Sequence, residues 1–117
     1  MRVKVNVANM DCRDAQGLTP LLLAVKNGHI AVTRALLAAG ADINDQDMEG
    51  KTALMWGAQN GHVKLAKILM NNGADVDAKD KCGMTALLYA VKEGQAEMVE
   101  ALLNMGAEIE EICSAGI

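Results

Sequence analysis

Apolar positions fall in a fixed order along this chain, and the order repeats. Leu21, Leu22, Ala24 and Val25 are followed by Asn27-Gly28, then by Ile30, Val32, Ala35, Leu36 and Leu37, and the run closes at Gly40. Spacings of three and four within each group predict two short amphipathic helices, broken at Asn27-Gly28 and stopped by Gly40. Thr19-Pro20 opens the first of them, Thr as N-cap and Pro at the first helical position, where its missing N–H costs nothing. The stretch GLTPLLLAVKNGHIAVTRALLAAGADIN from Gly17 returns 33 residues on as GKTALMWGAQNGHVKLAKILMNNGADVD from Gly50. It returns again as GMTALLYAVKEGQAEMVEALLNMGAEIE from Gly83. The structural unit is therefore the repeat.

Helix pairs this short are marginal alone, because isolated helices below roughly 12 to 15 residues barely hold in water. Stacking must stabilise them. Ala24, Gly57 and Ala90 recur at one position, and Ala41, Ala74 and Ala107 at another, so that successive backbones approach closely. Leu21, Leu54 and Leu87, with Leu36, Leu69 and Leu102, fill the layers between. Segments 41–50 and 74–83 are polar and turn-rich with one apolar residue each, Ile43 and Val76, and are expected to project as hairpin-like fingers.

The ends read as incomplete copies. Val3, Val5 and Val7 alternate as an extended segment, and Ala8-Asn9-Met10-Asp11 matches Ala41-Asp42-Ile43-Asn44 in phase. Gly116 lies in phase with Gly83. The expected organisation is one domain over 1–117: a partial repeat at 1–13, repeats at 14–46, 47–79 and 80–112, and a partial start at 113–117.

Composition agrees with thin layers. Trp56 and Tyr89 are the only aromatics in 117 residues that are 51% hydrophobic, so a single large core would have to be built from aliphatic side chains. The formal charge of −4 argues against nucleic acid, which draws its affinity from clustered Lys and Arg. No apolar run reaches the roughly 18 to 20 residues of a membrane span, and MRVKVNV lacks a signal peptide's apolar core. Cys12, Cys82 and Cys113 are scattered and odd in number, which predicts free thiols and a cytoplasmic chain, with the nucleus as the other compartment.

The pattern D-x-x-G-x-T-[PA]-L, then A-x3-G-H, then L-L-x2-G-A-D-[IV]-N resembles the ankyrin repeat, and the resemblance runs over residues 8–117. It implies a mainly α solenoid of stacked antiparallel helix pairs with β-hairpin-like loops at right angles. Fingers and first helices would form a concave face, and such proteins mostly bind other proteins without chemistry of their own. Several positions depart from the family pattern. Leu22, Met55 and Leu88 replace the histidine of T-P-L-H, Gln95 stands for His29 and His62, Glu108 for the aspartate of G-A-D, and Cys113 for Asp14, Asp47 and Asp80.

Catalytic and ligand motifs fail on inspection. Gly50-Lys51-Thr52 resembles the tail of a phosphate loop, but Asp45 occupies the place of its first glycine. Asp45, Asp47 and Glu49 resemble the start of a calcium loop whose twelfth position is Trp56 instead of a bidentate Glu. His29 and His62 lack a Cys pair at zinc spacing, and Ser114 is the only serine. No enzyme activity, cofactor or metal is expected.

Mapping the family layout onto this chain puts Gln16, Leu18, Met48, Glu49, Lys51, Lys81, Cys82 and Met84 around the finger turns. Lys26, Asn27, Gln59, Asn60, Lys92 and Glu93 fall on the first helices. Leu18, Met48 and Met84, with Trp56 and Tyr89, are expected to form an exposed apolar stripe, and Trp56 and Tyr89 to be partner anchors. Met48, Glu49, Lys51, Trp56, Gln59 and Asn60 belong to the middle repeat, where recognition is expected first. The segment from Leu36 to Asn44 is similar to the site that an asparaginyl hydroxylase modifies in many ankyrin proteins, which makes Asn44 a modification candidate, against a structural reading in which it bonds across the hairpin. The expectation is a monomeric, non-catalytic scaffold binding a protein or peptide on its concave face and finger tips, without membrane insertion. The alternatives are a spacer within a longer array, or weak self-association through uncapped ends.

Overall fold

The computed structural model of the protein describes residues 12–107. It contains α1 (Pro20–Lys26), α2 (Ile30–Ala38), α3 (Ala53–Asn60), α4 (Val63–Asn71), α5 (Ala86–Lys92) and α6 (Ala96–Asn104). Among the described residues there are helices and turns but no strand. The expectations for residues 1–11 and 108–117 lie outside this range.

Each first helix starts on a threonine. Thr19, Thr52 and Thr85 take extended backbone, and their hydroxyls accept the N–H of Leu22, Met55 and Leu88 at 3.2–3.3 Å. Each second helix ends with the alanine after the glycine donating back to a leucine: Ala41, Ala74 and Ala107 to the carbonyls of Leu36, Leu69 and Leu102, all at 3.0 Å. That bond fixes where the chain leaves the layer.

The helices form two rows. Inner helices α1, α3 and α5 pack on one another more closely than outer helices α2, α4 and α6, as the small residues at 24, 57 and 90 require. Leu21, Leu54, Leu87, Leu69 and Leu102 are buried as expected, whereas Leu36 is only half-buried, since no outer helix precedes α2 among the described residues. Successive copies of one position show what stacking covers. Leu65 and Met98 are buried and their counterpart Val32 is 50% exposed, while Val25 and Ala58 are buried and Val91 is 48% exposed. A repeat thus has two apolar faces, and each is closed only by another layer.

The fingers are tighter than strand-built hairpins. At each one an aspartate N–H reaches the carbonyl four residues on, Asp14 to Leu18, Asp47 to Lys51 and Asp80 to Met84. The reversal is hairpin-like, but a single such bond is too short to register as a strand pair. Neighbouring fingers are tied by Met48 N–H to Gln16 O at 3.2 Å and Lys81 N–H to Glu49 O at 3.0 Å. Gly50, at φ +82°, is held to that approach: a Cβ there would sit 2.9 Å from Lys81 N.

Candidate partner-binding site

The face formed by the fingers and the inner helices is organised by the turn aspartates. Each spends one carboxylate oxygen on its own turn: Asp47 Oδ1 accepts the N–H of Glu49 and Lys51, and Asp80 Oδ1 that of Cys82 and Met84, all at 2.9 Å. The other oxygen reaches nine residues forward onto the inner helix. Trp56 Nε1–H donates to Asp47 Oδ2 at 3.0 Å, and the Tyr89 hydroxyl donates to Asp80 Oδ2. Each aromatic's polar atom is therefore satisfied within its own repeat. In the first repeat, where Asp14 bonds Gln16 and Leu18 in the same way, the equivalent residue is Leu23 and the tie is absent.

Lys51 lies between these two rings. Its ammonium sits 3.7 Å from the Trp56 ring centre and 4.7 Å from that of Tyr89, and donates to Gln59 Oε1. Burial pushes the Lys51 amine below its usual value, with Lys26 adding to the shift; the charges of Glu49, Asp47 and Asp80 oppose it. Burial, then the bond and charge of Asp80, hold Tyr89 well above the usual phenol range. On the Trp56 side the row is open. Lys26 Nζ stands 5.0 Å from the ring centre, and a groove of about 500 Å³ runs along Ala15, Gln16, Lys26, Asp47, Met48, Glu49 and Trp56.

The expected apolar stripe is corrected by this geometry. Leu18 is 2% exposed and belongs to the core, Tyr89 is 9% exposed, and Met84 is half-buried against the core. Lys51, expected at the surface, is 5% exposed because its side chain lies against the faces of the two rings. What remains apolar and accessible is Met48, 61% exposed, beside a partly exposed Trp56. Gln16, Asn27, Asn60, Lys81, Cys82, Lys92 and Glu93 are exposed as well, and Lys26 and Gln59 half-buried. Only Gln16, Lys26, Met48, Glu49 and Trp56 of the candidates line the groove; Asn27, Lys81, Cys82, Met84, Lys92 and Glu93 do not.

Several candidates have structural occupations. Asn60 Nδ2 donates to Lys26 O at 3.0 Å, closing the preceding inner helix, while Asn27 Nδ2 donates to Leu23 O within its own. Asn44 Oδ1 accepts Asp75 N–H at 2.8 Å, so its bond runs to the next repeat instead of across its own hairpin. His62 packs where a Gly28 side chain would be: a Cβ at Gly28 would meet the imidazole at 2.9 Å. Gln95 fills the same role over Gly61. No cluster of metal-ligating side chains occurs among the described residues, and no helix there is long and apolar enough to cross a membrane.

Two residues that sequence reasoning passed over hold the fingers in line. Arg13 donates to Gly17 O, Gln46 O and Asp45 Oδ1, each at 2.8 Å, and Gln46 Nε2 donates to Gly50 O at 2.8 Å and Lys79 O at 3.2 Å. They occupy the same repeat position, immediately before the turn aspartate. That shared phase was the available signal.

Stacked helix pairs and turn-built fingers define a helical-repeat protein. The model for ankyrin repeats in three copies matches residues 2–80 and 45–113, and the chain belongs to the ankyrin-repeat family. Proteins of that family are generally protein–protein interaction modules and non-enzymatic scaffolds. A search of curated proteins gave no match.

Proposed function

We propose that this chain is a non-catalytic scaffold that binds a partner protein or peptide along the groove at the first two fingers, between Gln16, Lys26, Met48, Glu49 and Trp56. One observation carries the reading: an accessible methionine and a partly exposed tryptophan share an open groove, while Leu18 and Tyr89 of the expected stripe are buried and Met84, half-buried, lies outside the groove. Tryptophan is enriched among the few residues that carry most of an interface's affinity, and methionine adapts to varied shapes. The Trp56 indole is already tied to Asp47, so little ordering of the ring opposes binding. The exposed thiols of Cys12 and Cys82 fit a reducing compartment, the cytoplasm or nucleus. Asn44 stays a modification candidate, and its bond to Asp75 accounts for an asparagine there without any modification.

A photo-crosslinking residue placed at Met48, and separately at Val32 on α2, tests the groove. Adducts from position 48 that excess unlabelled chain competes away, with none from 32, are expected. Equal crosslinking from both would remove the reading.

A second reading, self-association through the open end layer, draws on Val91, Leu103 and Met105, exposed by 48, 38 and 44%. Sedimentation over a wide concentration range decides it, since a monomer throughout excludes the idea.

A further inference from the structure

The charges around the groove are not evenly satisfied. Both oxygens of Asp47 are occupied, by the N–H groups of Glu49 and Lys51 and by the Trp56 indole. Glu49 is exposed, and of the carboxylates near the Lys51 amine it exerts the strongest attraction, without an ion pair within 4 Å. Lys26 is different. Its ammonium stands over the Trp56 ring, 5.0 Å from the centre, and no carboxylate among the described residues forms an ion pair with it. Its charged neighbour on the ring is Lys51, which repels it. Two ammonium groups thus bear on one indole at the end of the groove, and one of them is already desolvated.

A carboxylate brought to that end would meet an unpaired cation with a second behind it, in a setting where the ring and the inner helix exclude part of the water. A lysine or arginine would be repelled by both ammonium groups and would find Asp47 buried, with both oxygens already engaged. A long polyanion is disfavoured by Glu49 and by the net charge of −4. Away from Lys26 the groove takes its apolar lining from Ala15, Met48 and Trp56, beside the polar Gln16 and Glu49, and the whole groove's volume lies inside the range of about 300–1,000 Å³ typical of ligand sites.

We infer that the groove takes a short segment of a partner protein in which an apolar side chain neighbours a carboxylate, the apolar group lying between Met48 and Trp56 and the carboxylate meeting Lys26. The inference rests on the groove being the binding face, and deepens it by naming what that face selects.

The test pans a displayed library of random octapeptides against the purified chain, followed by binding measurements on the best peptide and on its Asp→Asn or Glu→Gln counterpart. Enriched peptides should carry Asp or Glu within two residues of Leu, Ile, Met or Phe. Amidating that carboxylate should weaken binding about threefold to the wild-type chain, the size of an exposed ion pair, and leave binding to Lys26→Met unchanged. Panning on Lys26→Glu should enrich Lys and Arg in place of Asp and Glu.

Two failures are distinguishable. Peptides that lose binding to Met48→Arg but are indifferent to their carboxylate overturn the acidic partner and keep the groove. Peptides that bind Met48→Arg as well as wild type overturn both, as does a library that yields no binder.

Discussion

Trp56 and Tyr89 stand at the same position of successive repeats and make the same bond, an aromatic donor to the second oxygen of the turn aspartate nine residues before. Their surroundings differ. Tyr89 is covered by Lys51, which reaches across from the preceding finger, and is 9% exposed. Trp56 has the half-buried Lys26 on the preceding inner helix and small Ala15 on the preceding finger, which leaves the groove open. One tie therefore serves two ends: at Tyr89 it locks a layer, and at Trp56 it holds a ring still while part of it faces outward. A ring fixed before binding loses little freedom on binding.

The two sites should separate most clearly on truncation. Tyr89→Ala removes a buried aromatic and strands a buried carboxylate oxygen, and is expected to cost about 3–4 kcal/mol. Trp56→Ala should cost about half that, because part of the ring is already in water. Urea midpoints at unchanged slope measure both, and equal losses would break the comparison. Next come the aspartates. Asp80→Ala and Asp47→Ala each free two turn N–H groups, and about 2–3 kcal/mol is expected for Asp80 and less for Asp47, where water can reach the indole.

Tyr89→Phe isolates the hydroxyl at about 1 kcal/mol and changes the alkaline limb of stability. The fold raises the Tyr89 pKa above the unfolded value, so the contribution is full below about pH 10 and is lost as pH rises beyond it. The phenylalanine variant should lack that loss. Lys51 carries the opposite sign: its pKa is lowered in the fold, so the cost of burying its charge is present at neutral pH and is relieved as pH approaches 10.5. Lys51→Met should accordingly be neutral or stabilising by about 1 kcal/mol at pH 7. A loss of more than about 1 kcal/mol would show that the ammonium stabilises the two rings more than its burial costs.

The repeat, the helix pairs, the threonine starts and the glycine exits were legible in the sequence, since each follows from local spacing and from residue types with few conformational options. The leucine positions were legible for the same reason, apart from Leu36, which like Val32 lies where no helix pair precedes it among the described residues. The site was legible only in part. Met48, Glu49 and Trp56 were recognised as surplus to stacking. Exposure at Leu18, Lys51 and Tyr89 was misjudged because each depends on a side chain reaching across to another repeat or inward from a turn, which repeat phase does not report. The Asp-to-aromatic tie leaves a mark at nine-residue spacing, Asp47 to Trp56 and Asp80 to Tyr89, yet Leu23 opposite Asp14 hides it as a rule.

Trp56 is the only tryptophan in the chain, so its fluorescence reports on the groove and on nothing else. The decisive measurement is the emission of Trp56, with its quenching by acrylamide, as a peptide that binds the chain by calorimetry is added. A groove-bound peptide covers the exposed part of the ring, and the predicted result is a blue shift with quenching reduced over the same concentration range as the heat of binding. Saturation by calorimetry with Trp56 emission and quenching unchanged would contradict the account.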